Sequence, residues 1–113
     1  MCTKSELQTI LSTTHKRLQE IFGSRLDNVL LYGSYARGDH DSESDIDVMA
    51  LVNMPKEELT AYRRLVSDFS SDIDLEYNVL LSVTLQDTET FNRYQTVLPF
   101  YQNVIREGIS VVQ

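Results

Sequence analysis

The feature that most constrains this chain is a sixteen-residue stretch, GSYARGDHDSESDIDV, held between two apolar runs. Val29-Leu30-Leu31-Tyr32 enters it and Ile46 to Val52 leaves it. Each run has the length and composition of a buried strand. Gly33-Ser34 breaks the first run at its end. Residues Arg37 to Ser44 are polar and contain Gly38, so they read as a loop with room for a short helix at its start. Asp45-Ile46-Asp47 then opens the second strand. Positions i and i+2 of a strand share a face, so Asp45 and Asp47 point one way while Ile46 and Val48 point into a core. A fold that accepts this stretch must pair the two strands and bring the Gly-Ser turn beside the two carboxylates.

The rest of the pattern surrounds that unit with helices. Lys4 to Phe22 carries Leu7, Ile10, Leu11, Leu18, Ile21 and Phe22 at helical spacing. Thr3 and Glu6 form a capping box at its start, and Gly23 is a stop. Lys56 to Phe69 reads as a second amphipathic helix after Asn53-Met54-Pro55. Ile73 to Val83 reads as a third strand. Helical character resumes at Asp87, breaks near Pro99, continues over Phe100 to Glu107 and stops at Gly108. Ile109 to Val112 forms a terminal extended piece. The order α-β-β-α-β-α predicts an α/β, more narrowly α+β, fold: a small mixed sheet flanked by helices, which are expected on one face. Its 113 residues fit a single domain spanning 1–113.

Composition narrows the function classes. Seventeen acids against ten Lys and Arg give a net charge of −7, which disfavours broad binding to nucleic-acid backbones. No apolar run approaches a membrane span, and MCTKSELQTI lacks the basic-then-apolar order of a signal peptide. The one cysteine, Cys2, cannot make an internal bridge. These features set the expectation of a cytoplasmic protein acting on a small charged ligand or a protein partner.

The paired acids and the Gly-Ser turn have a shared chemical logic. Two adjacent carboxylates repel, and a cation between them removes that penalty. Their hard oxygens suit Mg²⁺, which takes one or two protein carboxylates plus phosphate oxygens. A glycine at a strand exit lets the backbone approach a phosphate, and the following N–H groups and the Ser34 hydroxyl can donate to it. Arg37 is placed to add a charge-assisted contact. Gly33, Ser34, Arg37 and Ser44 are therefore the nucleotide-binding candidates, and Asp45 and Asp47 the catalytic and metal-binding ones. A serine nucleophile at Ser34 lacks an elbow motif, and His40 reads as a loop residue. Phe91, Tyr94, Phe100 and Tyr101 form an aromatic cluster read mainly as core, and Arg63-Arg64 a solvated helix face.

The pattern GSYARGDHDSESDID resembles the signature of the nucleotidyltransferase superfamily that includes DNA polymerase beta and kanamycin nucleotidyltransferase. The small size and the ending LPFYQNVIREGISV resemble its minimal prokaryotic members. The resemblance implies a helix-flanked mixed sheet, transfer of a nucleoside monophosphate such as AMP from ATP or another NTP, and Mg²⁺, with two ions expected. It implies a partner as well, a helical HEPN-domain protein in a toxin–antitoxin pair; a homo-oligomer is the other way to complete so small a chain. It also implies a third acid on a neighbouring strand, as general base or metal ligand. Within SSDIDLEYNV, Asp74 is favoured because Ile73 and Leu75 repeat the surroundings of Asp47; Asp72 and Glu76 share its parity and remain alternatives. Competing readings are an antitoxin that acts by binding alone, and a nucleotide-binding sensor.

Overall fold

The computed structural model describes residues 3–111. Helix α1 (Lys4–Phe22) begins with the expected capping box: the Glu6 N–H donates to the Thr3 hydroxyl, and the Thr3 N–H donates to the Glu6 carboxylate, both at 3.0 Å. Its buried residues, Ile10, Thr14, Leu18 and Phe22, recur every four positions. A 3-10 turn over Gly23–Arg25 leads into strand β1 (Leu26–Tyr32). One turn of helix, α2 (Ser34–Arg37), starts the polar loop, and β2 (Ile46–Val52) follows. Val112, the last residue of the expected terminal extension, lies outside the described residues.

Among the described residues the sheet has four strands, in the order β3-β2-β1-β4. Strands β1 and β2 are antiparallel, with Tyr32 opposite Asp47 and Leu31 opposite Val48. Strand β3 (Leu81–Asp87) runs parallel to β2, as a helical crossover allows. The short β4 (Ile109–Ser110) pairs with Leu30 and Leu31 at the other edge.

Two expectations for the middle of the chain fail. The second helix does not end at Phe69. A short helix α3 (Lys56–Leu59) and a 3-10 turn (Thr60–Tyr62) lead into α4 (Arg63–Tyr77), which takes over the first part of the segment assigned to the third strand. The period-two pattern of Ile73 and Leu75 is misleading: Leu75 is 85% exposed. The buried set is Val66, Phe69, Ser70 and Ile73, a helical stripe. The helix stops where Asn78 adopts the left-handed conformation, φ 54° and ψ 50°, and its N–H caps the Asp74 carbonyl.

The helices also cover both faces of the sheet, not one. Ile46, Val48, Ala50 and Val52 pack with Val29, Leu31, α1 and α4 in the larger core. Met49 and Leu51 face the other way and meet Phe91 of α5 (Thr88–Tyr94) and Val104 of α6 (Pro99–Glu107). The unbroken apolar run of β2 carries this information, because a strand buried on both faces loses its alternation.

Candidate functional site

Alternation along β2 sends Asp47 to the α6 side of the sheet, the face opposite α1 and α4. Asp45, two residues earlier, shares its parity just before the strand begins. The turn after β1 meets Asp47 directly. Gly33 has φ +76°, and a Cβ built on it would lie 2.5 Å from Asp47 Oδ2. A side chain here would incur backbone strain and displace the carboxylate, so glycine is required on two grounds.

The short helix α2 opens at this point. The Gly33 carbonyl accepts hydrogen bonds from the Ala36 and Arg37 N–H groups, both at 3.1 Å. As the first residue of the helix, Ser34 has a backbone N–H with no acceptor within the helix. Gly38, with φ +83°, ends the turn. Tyr35 is buried and stacks on His40, ring centroids 4.0 Å apart, which anchors the loop.

Arg37 lies beside the acids and is held in turn by other acids. Its Nε donates to Asp39 at 3.1 Å and its Nη1 to Glu107 of α6 at 3.0 Å. Those two hydrogen bonds raise the guanidinium's pKa above its ordinary value. The Asp47 pKa is also raised: burial contributes most, the Asp45 charge next, and Arg37 partly offsets both. A cleft of about 180 Å³ runs from Gly33 and Arg37 to Phe100, Asn103 and Glu107. Asp45 lies in a second hollow, of about 230 Å³, with Ser44, Asn78 and Leu80. The first hollow opens at the Gly33 turn and the second at Asp45.

Among the nucleotide-binding candidates, Gly33, Ser34 and Arg37 lie together at this turn. Ser44 differs. Its hydroxyl accepts from the Asp41 N–H at 2.9 Å and donates to Asp41 Oδ1 at 3.2 Å, so it braces the loop leading into Asp45.

Asp74 does not lie on a strand. It is on α4, and its Oδ1 accepts the Leu81 N–H at 2.7 Å, tying the end of the helix to the start of β3. Asp72 and Glu76 lie on α4 as well and line a groove with Thr13 and Arg17 of α1, on the face opposite Asp47. The parity that grouped these three acids belonged to a strand that begins later, at Leu81. Among the described residues, no third His, Cys, Asp or Glu joins Asp45 and Asp47 in a metal-binding group.

What lies beside Asp47 on β3 is Ser82, its register partner, followed on the same face by Thr84. The Thr84 and Tyr32 hydroxyls are 3.5 Å apart. The sequence carries the signal for this: in Leu81-Ser82-Val83-Thr84-Leu85-Gln86, apolar and polar residues alternate strictly. Glu107 was also missed, since only folding brings it to Arg37.

Two carboxylates close enough for the charge of Asp45 to act on Asp47, the latter packed against a glycine turn, can hold a hard cation together with phosphate oxygens. The two residues present fit such an ion.

Residues 11–98 match the family model described as "Nucleotidyltransferase domain". A relative from Methanocaldococcus jannaschii, MJ0141, which carries a provisional protein adenylyltransferase name, is 40% identical over 68% of this chain and 76% of its own. The protein adenylyltransferase MntA of Thermococcus cleftensis is 39% identical over 43% of this chain and 48% of its own. The fold is similar to that of a chain in a crystal structure of a toxin-antitoxin with AMP-PNP. The TM-score is 0.56 at 24% identity, over 88% of this chain and 71% of that one. Strand pairing, turn and acid pair thus coincide with a family match over most of the chain, which belongs to the nucleotidyltransferase domain family.

Proposed function

We propose that this nucleotidyltransferase transfers AMP from ATP to a protein acceptor, with Asp45 and Asp47 as the catalytic and metal-holding residues. The observation that carries this reading is the contact of the Asp47 carboxylate with the Gly33 turn, which joins a cation site to a phosphate site. Gly33 allows the close approach, and the Ser34 N–H and hydroxyl donate to phosphate oxygens. Arg37, held by Asp39 and Glu107, adds a charge-assisted contact to the triphosphate from its remaining N–H groups. Bound Mg²⁺ would neutralise the carboxylate pair and the charge developing on the departing pyrophosphate. The protein acceptor is supported by the names of the relatives. A toxin partner is supported by the likeness to the toxin-antitoxin crystallised with AMP-PNP, and its HEPN type by the sequence resemblance. An acidic surface fits a protein acceptor better than a nucleic-acid end.

A second reading, neutralisation of the partner by binding alone, is favoured by one observation: no third acid joins Asp45 and Asp47 among the described residues. Co-expression with the adjacent open reading frame separates the two. If transfer is the function, the partner gains the mass of AMP, and an Asp45→Ala, Asp47→Ala double variant binds it without modifying or neutralising it. Full neutralisation by the double variant would refute transfer and establish binding.

A further inference from the structure

We propose that this chain supplies ligands for a single nucleotide-bound divalent cation rather than two, because hydroxyl side chains stand where a third carboxylate would bring in a second ion. The inference rests on the reading of Asp45 and Asp47 as the metal ligands.

A pair of ions about 3.5–4 Å apart needs carboxylates on both sides. The strand next to β2 on the acid-bearing face is the place from which to supply one, since paired strands lie about 4.7–4.9 Å apart. In the parallel register Asp47 pairs with Ser82 and Met49 with Thr84. Ser82 is exposed, and Thr84 faces the Tyr32 hydroxyl. Neither is a carboxylate, and neutral hydroxyls do not offset the charge of a second bare dication.

The acids on α4, α6 and β3, and Asp39 of the loop, are engaged elsewhere; Glu43, in the hollow that holds Asp45, is exposed. Asp87, at the far end of β3, caps α5 by accepting the Thr90 N–H at 2.9 Å. Asp74 holds the Leu81 N–H. Asp72 and Glu76 face α1. Asp39 and Glu107 hold Arg37.

The test is electron paramagnetic resonance of the whole protein with Mn²⁺ and saturating AMP-PNP, with bound manganese counted by equilibrium dialysis. One ion per bound nucleotide, with an uncoupled six-line spectrum, is the expected result. Two ions, with the broadening of a coupled pair, would overturn the inference and leave the nucleotide site intact. Failure to retain Mn²⁺ with nucleotide would overturn the underlying site and the inference with it. Ser82→Asp should raise the count from one to two, and Ser82→Asn, equal in size and neutral, should leave it at one. A folded Ser82→Asp protein that still holds one ion would refute the assignment of Ser82 to the third-ligand position.

Discussion

The two faces of the sheet are built to different ends. On one, α1 and α4 seal Ile46, Val48, Ala50 and Val52 under a continuous apolar layer with Ile10, Leu18, Val29 and Phe69. On the other, α5 and α6 cover only the half of β2 around Met49 and Leu51. Phe100, 50% exposed, is left beside the cleft that leads to Gly33. Asp47 lies on this second, partly open face. A carboxylate turned toward the sealed face would be desolvated without a partner, at a cost of several kcal/mol. Alternation along one strand thus lets the same seven residues anchor a core and expose a charged site.

The comparison can be broken from either side. The largest effect belongs to the open face: Asp47→Ala should lower AMP transfer by on the order of a thousandfold, measured as labelled AMP incorporated, while the fold is retained. Next comes the sealed face. Leu18→Ala should cost about 2–5 kcal/mol in denaturant unfolding, as a fully buried residue does. Truncation of the half-exposed Phe100 should stay within about 0.5 kcal/mol. An equal cost for the two would erase the distinction between the faces.

Gly33→Ala lies at the boundary. Strain at φ +76° should cost about 1–3 kcal/mol, and the displaced Asp47 carboxylate should weaken nucleotide binding in calorimetry as well. A variant with wild-type affinity would show that the contact does not position the acid.

The smallest effect is read from pH. Burial and Asp45 raise the Asp47 pKa, so the folded state holds that proton more tightly than the unfolded chain does. Stability should therefore fall as pH rises from the unfolded pKa through the folded one, and metal-free Asp47→Asn should melt higher than wild type at neutral pH. Asp87 has the opposite sign. Burial opposes its ionisation, but the hydrogen bonds from Thr90 and from its own backbone N–H, with the Lys56 charge, together outweigh it and lower the pKa. Its contribution should be present at neutral pH and lost as pH falls through the folded pKa. Melting curves of Asp87→Ala should show a deficit of about 0.5–2 kcal/mol at neutral pH that closes in acid. A deficit constant with pH would assign the effect to packing.

Much of this molecule was legible in residue order alone, because the signals were local. Thr3 and Glu6 announce α1, and Ile46 to Val52 reads as β2 with the observed bounds. The spacing from Gly33 to Asp47 anticipates a glycine turn beside that acid. What residue order did not settle were the choices made by packing. Residues Arg63 to Tyr77 could continue a helical stripe or begin an alternating strand, and both patterns pass through Ile73. The helix prevailed because Val66, Phe69 and Ile73 bury together in the core that α4 shares with α1 and β3, leaving Leu75 in water. That outcome moved the third strand to Leu81, took Asp74 to the start of β3 and set Ser82 beside Asp47. Periodicity along a chain determines which residues share a face; only the pairing of distant segments decides which faces meet.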